Sequence, residues 1–177
     1  MAVQSDMTMQ ELLMEFPGAQ RALFRHYHIG GCQSCGFRPD ETLAQVCERN
    51  GGLDPEQVLE NVRLAWEEDK KLLVEPSDAA KTLAAGEADF IDIRTQEEFD
   101  AVHIPGSSKF TQETMQEVLG TAATGRQVIL IDHQGSKVLD ATTYFAGHGL
   151  TTVKGLRGGI DAWSLEVDST LPRYTLE

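Results

Sequence analysis

Val128-Ile129-Leu130-Ile131 is an unbroken apolar run, and a cluster of turn-forming residues follows it at once. A strand with one wet face alternates apolar and polar side chains. A continuous run must be covered on both faces, as happens at the centre of a parallel sheet lying between two layers of helices. The chain around this run has the matching rhythm. Leu72-Leu73-Val74 is a short strand, and Ser77 is placed to cap a helix through Ala79, Ala80 and Leu83. Phe90-Ile91-Asp92-Ile93 is a second short apolar run, and Met115, Val118 and Leu119 mark another helix. After the central run, Val138, Ala141, Tyr144 and Phe145 share a helix face that ends at Gly147-His148-Gly149, and Thr151-Thr152-Val153 is the next β-rich stretch. Strand and helix in alternation predict an α/β fold with a parallel sheet flanked by helices.

The first part of the chain lacks this alternation and reads as a small all-α domain. Thr8 and Glu11 form a capping box ahead of Leu12, Leu13 and Phe16, and Pro17-Gly18 breaks that helix. Ala19, Ala22, Leu23 and Tyr27 carry a second helix that ends at Gly30-Gly31, where glycine accepts a left-handed cap. Pro39 stands at the start of a third helix, with Leu43, Val46 and Cys47 on one face. Asp54-Pro55-Glu56-Gln57 starts a fourth, with Val58, Leu59, Val62 and Trp66 as its apolar stripe. The charged run Glu67-Glu68-Asp69-Lys70-Lys71 ends it. The expected division is a helical domain over residues 1–71 and an α/β domain over residues 72–177.

Charge narrows the partners. The net charge is −13, with only 15 lysines and arginines and no basic run, so a phosphate backbone or an anionic membrane surface would be repelled. No stretch is long and apolar enough to span a bilayer, and the N-terminus lacks a basic segment followed by an apolar one. Three cysteines, two of them as Cys32-x-x-Cys35, do not make a secreted disulfide framework. These features lead us to expect a soluble cytoplasmic protein.

Three segments of the second part resemble the rhodanese-like family. Phe90-Ile91-Asp92-Ile93-Arg94, followed by Glu97-Glu98-Phe99, resembles its D-V-R-x-x-x-E-Y segment. His103-Ile104-Pro105-Gly106-Ser107 resembles its G-H-I-P-G-A signature, with Val102 replacing the usual glycine. Leu156-Arg157-Gly158-Gly159-Ile160-Asp161-Ala162-Trp163 resembles its closing G-G-x-x-x-W motif. The resemblance implies an active loop after the central strand, reading C-x-x-G-x-R in an active member, whose N–H groups and following helix favour a thiolate. This chain has Asp132-His133-Gln134-Gly135-Ser136-Lys137 there. Gly135 matches the loop glycine and Lys137 the basic position. Asp132 falls where the cysteine belongs, and no cysteine lies elsewhere in this domain. A carboxylate can occupy an anion cradle but cannot accept a sulfane sulfur. Asp132 equally suits a helix cap, Asp92 and Arg94 suit a brace for the loop, and His133 suits an exposed loop position rather than a catalytic base.

The first part resembles a second, small helical family of the hybrid-cluster-associated redox-disulfide type. The match lies in Leu12-Leu13-Met14-Glu15-Phe16-Pro17, Ile29-Gly30-Gly31-Cys32-Gln33-Ser34-Cys35 and Pro39-Asp40-Glu41-Thr42-Leu43. Cys32 and Cys35 permit a disulfide, half of a zinc site or half of a [2Fe–2S] ligand set. Four thiolates would require a homodimer, whereas His26 and His28 could complete a mixed zinc site within one chain. A pair of reduced cysteines with no role is the bland alternative, and Cys47 is most simply a buried apolar residue. Three functions follow as expectations. The first is an adaptor with a protein partner in sulfur or redox metabolism, working through the cysteine pair beside a non-catalytic loop. The second is a sulfurtransferase that uses Cys32 or Cys35 while the Asp132 loop holds the substrate anion. The third is a structural interaction module.

Overall fold

The computed structural model describes residues 6–30, 36–123 and 125–174. By its internal contacts the chain divides into two compact units, Met1–Lys70 and Lys71–Glu177.

The first unit is helical: α1 (Met9–Glu15), α2 (Ala19–Tyr27), α3 (Leu43–Arg49) and α4 (Pro55–Lys70). The Thr8 hydroxyl caps α1, and the Glu11 carboxylate returns to the Thr8 N–H, closing the expected capping box. Two boundaries differ from expectation. Helix α2 ends a turn early, because His28 takes the left-handed cap with φ of 57° and leaves Gly30 beyond the helix. Helix α3 starts at Leu43 rather than at Pro39, because Thr42 and Gln45 form a second capping box that outcompetes the proline as a start. The loop ahead of it is tied to α1, since Met9 N–H donates to the Glu41 carbonyl and Leu43 N–H to that of Met7. Leu12, Leu23, Leu43, Val46, Cys47 and Val62 are buried in one core.

The second unit contains β1 (Leu73–Val74), α5 (Pro76–Ala84), β2 (Ala88–Asp92), α6 (Gln96–Ala101), β3 (Ser108–Lys109), α7 (Gln112–Ala123), β4 (Gln127–Ile131), α8 (Ser136–Gly147), β5 (Val153–Leu156) and α9 (Gly159–Glu166). The five strands form one sheet in the order β1-β5-β4-β2-β3, and every pairing is parallel. The apolar run is the central strand β4, as its pattern requires. Ile129 and Ile131 pack with Phe90, Leu156, Ile160 and Trp163 on one face. Val128 and Leu130 pack with Ile91, Val138, Phe145 and Val153 on the other. Ser77 does not cap α5. Glu75 is the cap residue and Pro76 the first residue, because proline's fixed φ suits a position that needs no N–H. Strand β5 starts at Val153, and Thr151 and Thr152 form the turn before it. No helix among the described residues is long and apolar enough to cross a membrane.

Strand order positions the site. From β2 the chain moves outward to the edge strand β3, and from β4 it moves to β5 on the opposite side. Loops leaving the carboxyl ends of β2 and β4 therefore diverge and open a crevice between them, where open α/β sheets bind ligands. The loops at this switch point are Asp92–Arg94 and Asp132–Gly135. Leu130→Ala should cost about 2–5 kcal/mol through the cavity left between the sheet and α8. Chemical denaturation of the variant checks this, and a loss below about 1 kcal/mol would mean that Leu130 is not a core residue.

Candidate functional site

Asp132 leaves β4 with only 1% of its surface exposed. Its Oδ1 accepts the Gly135 N–H at 2.5 Å, and its Oδ2 accepts the N–H groups of Lys137 at 2.7 Å and Val138 at 3.2 Å. Both oxygens accept from backbone N–H groups beside the first turn of α8, where unpaired N–H groups and the helix dipole favour an anion. Asp132 is not itself the cap residue of α8. That residue is Gly135, with φ of 89° and no side chain to offer, and the carboxylate three positions earlier does the capping. Burial pushes the Asp132 carboxyl above its ordinary value, opposed by the three N–H groups and by the Lys137 charge.

The loop is locked against the start of α9. The Asp132 carbonyl accepts the Ile160 N–H at 2.9 Å and the His133 carbonyl accepts that of Asp161 at 3.1 Å. This approach needs glycine twice. A Cβ at Gly159, where φ is 60°, would lie 2.4 Å from the Asp132 carbonyl oxygen, and one at Gly135 would lie 2.6 Å from the Gly158 nitrogen. Gly135 and Gly159 thus have a physical role: they let α9 close on the loop.

Asp92 and Arg94 are both buried and form a fork. Arg94 Nε reaches Asp92 Oδ1 at 3.0 Å and Nη2 reaches Oδ2 at 2.6 Å. Arg94 also donates to the Val102 carbonyl at 2.7 Å and to the Tyr174 hydroxyl at 2.8 Å. It therefore braces the loop at one remove, because Tyr174 stacks on His133 with ring centroids 4.3 Å apart and planes 16° from parallel. The expectation of an exposed His133 was wrong. Tyr174 covers the ring, and the Tyr174 carbonyl, which can only accept, fixes a proton on His133 Nε2 at 3.0 Å. Gln134, Ser136 and Lys137 are exposed along the outer edge of the loop.

Tyr174 and Glu98 complete the network. The Tyr174 hydroxyl donates to Glu98 Oε1 at 2.7 Å. Burial would raise the Glu98 carboxyl, but bonds from Tyr174 and Thr95, with the charge of Arg94, together hold it at about 2. Burial and Glu98 push the Tyr174 hydroxyl up, so it stays a donor. Tyr174 escaped the sequence reading because a lone tyrosine in a polar tail carries no periodic signal. Glu98 lies within the Asp92–Phe99 segment, where its side chain has no role legible from the sequence.

Cys32 and Cys35 lie outside the described residues. His26 and His28 are exposed, and no cluster of three metal-binding side chains occurs among the described residues. Cys47 is a free, fully buried thiol, which burial and then Asp54 push up.

The crevice, the loop at the end of β4 and the glycine pair of α9 define a class of α/β domain, and comparison with known proteins gives its name. The rhodanese-like domain family matches residues 75–166, and the chain belongs to that family. Thiosulfate sulfurtransferase GlpE of Pseudomonas syringae pv. syringae is 24% identical over 102 residues, covering 58% of this chain and 92% of that protein. GlpE of Ectopseudomonas mendocina is 29% identical over 98 residues, covering 55% and 86%. Adenylyltransferase and sulfurtransferase UBA4 of Lodderomyces elongisporus is 24% identical over 156 residues, covering 81% of this chain but 34% of that protein. Among solved structures, reduced Bacillus anthracis CoADR-RHD shares the fold, with a TM-score of 0.50 at 16% identity over 68% of this chain and 21% of that one.

The two carboxyls of the site should leave opposite marks on stability. The raised Asp132 value means that its share of stability is fully present below its ordinary value and declines as pH rises through the folded-state value. The depressed Glu98 value means that its share is present above 4.5 and is lost as pH falls from 4.5 towards about 2. Unfolding free energy measured between those limits should fall less steeply for Glu98→Gln than for the wild type. Equal slopes would remove Glu98 from the network.

Proposed function

We propose that this chain is a rhodanese-like protein whose Asp132 loop performs no sulfur transfer. It serves instead as a recognition face for a protein partner in sulfur or redox metabolism. Asp132 stands where an active member holds its nucleophilic cysteine. The observation that carries this reading is the set of three N–H bonds to the Asp132 carboxylate. They are the donors a thiolate or persulfide would use, and they are already taken by a group that forms no persulfide. The bacterial relatives are named for thiosulfate sulfur transfer. In that chemistry a thiolate attacks the outer sulfur of thiosulfate, a persulfide forms and sulfite leaves. A carboxylate oxygen has no equivalent step.

The same bonds argue against a loop that holds a substrate anion for Cys32 or Cys35, because the incoming anion would have to displace Asp132. The thiol chemistry of the proposal belongs to Cys32 and Cys35 themselves, as an oxidisable pair or as ligands to zinc or to a [2Fe–2S] cluster shared between two copies.

Intact mass and peptide mapping after thiosulfate treatment should place no added sulfur on any residue from 72 to 177. Asp132→Cys should restore a reactive group, with a thiol whose alkylation midpoint falls well under the free-thiol value of ~8.5. Sulfur transfer by the wild-type loop, or an ordinary midpoint in Asp132→Cys, contradicts the reading. Anaerobic purification with metal analysis tests the pair. Cys32→Ser and Cys35→Ser should lose any metal or oxidisable thiol, and Cys47→Ala should keep it. If all three match a wild type that has neither metal nor an oxidisable pair, the chain is an interaction module alone.

A further inference from the structure

After α9 the chain turns at Asp168, and the segment Leu171–Tyr174 runs back over the site. The Leu171 carbonyl accepts from the Ser164 hydroxyl on α9. Arg173 forms a two-pronged ion pair with Asp161 at 2.6 and 2.9 Å, and Asp161 is the residue whose N–H holds the His133 carbonyl. Tyr174 then makes three kinds of contact at once. Its ring lies on the His133 ring, its carbonyl accepts a hydrogen bond from His133 Nε2, and its hydroxyl bridges Arg94 and Glu98. One short segment therefore touches the loop after β4, the fork after β2 and the start of α9, which are the three walls of the crevice.

We propose that Leu171–Tyr174 is a releasable strap, and that the Asp132 loop meets a partner only when this strap lifts. Three observations favour release over permanent closure. The segment joins no strand of the sheet. Arg173 is half exposed, so solvent screens its ion pair with Asp161 and the pair holds the segment only weakly. Its remaining holds are four part-buried hydrogen bonds and the packing of Leu171 and Tyr174, both only partly buried, at the margin of the core. Pro172 and Arg173 are exposed, and a short segment held this way can open locally below the cost of global unfolding. Closure also has a visible effect: His133 and Arg94, both polar, are 9% and 5% exposed with Tyr174 seated on them. A lifted strap would present the His133 ring, a free Arg94 donor and the Glu98 carboxylate along the edge that already exposes Gln134, Ser136 and Lys137. The inference rests on the reading of this loop as the recognition face. The test below reports on the strap alone, so either can fail without the other.

Amide hydrogen exchange on the full chain is the test. In Tyr174→Ala the Gly135, Lys137 and Val138 amides should exchange at least about 10-fold faster than in the wild type, while Ile129 and Leu130 in β4 keep their rates within about 2-fold. Should that variant not fold, Tyr174→Phe is read the same way. It keeps a ring on His133 but removes the hydroxyl bridge, and about 3-fold faster exchange at the loop is expected. Unchanged loop amides overturn the proposal. So does a uniform rise that includes β4, which would make the segment a general brace rather than a strap.

Discussion

The three backbone N–H groups that converge on the Asp132 carboxylate set the conditions for everything around the crevice. A buried carboxylate without partners would be neutralised or would unfold its surroundings. Here the first turn of α8 supplies the partners, so α8 must start at Ser136 and the loop must be as short as it is. The loop's own carbonyls then need donors, and α9 provides them through Ile160 and Asp161. That docking demands glycine at positions 135 and 159. The three N–H groups at the end of the central strand are thus occupied by a carboxylate built into the chain.

Much of this was legible in the amino-acid order. The Val128–Ile131 run placed a central parallel strand, and the structure buries its alternate residues against two separate helical layers. The expected helices formed, and capping boxes at Thr8 and Thr42 fixed two starts. The displaced boundaries share a cause. At Pro39 and Ser77 a residue that can begin a helix lost to a neighbour whose cap or fixed φ was better placed, and at His28 a left-handed cap fell on a residue other than glycine. Local signals of similar strength compete over a few residues, and the surrounding packing decides among them.

The site was legible only along the chain. Asp132, Asp92 and Arg94 drew attention through their neighbours in sequence, and the structure places all three around one crevice. The contribution of Tyr174 was invisible, because 80 positions separate it from the Arg94 side chain it binds. The misreading of His133 follows from that omission. A histidine in a polar loop is exposed unless something distant covers it, and here the covering residue comes from the far end of the chain.

The most direct measurement is a carbon and amide NMR titration of the unmodified protein. It follows the Asp132 side-chain carboxyl together with the Gly135, Lys137 and Val138 amides. A carboxylate seated in its own cradle predicts one shared transition in all four signals, its midpoint set by burial, which raises it, against the three N–H bonds, which lower it. Protonation would weaken the three bonds together. Amides that stay silent while the Asp132 carboxyl titrates would show that the cradle is not filled from within and would contradict the account.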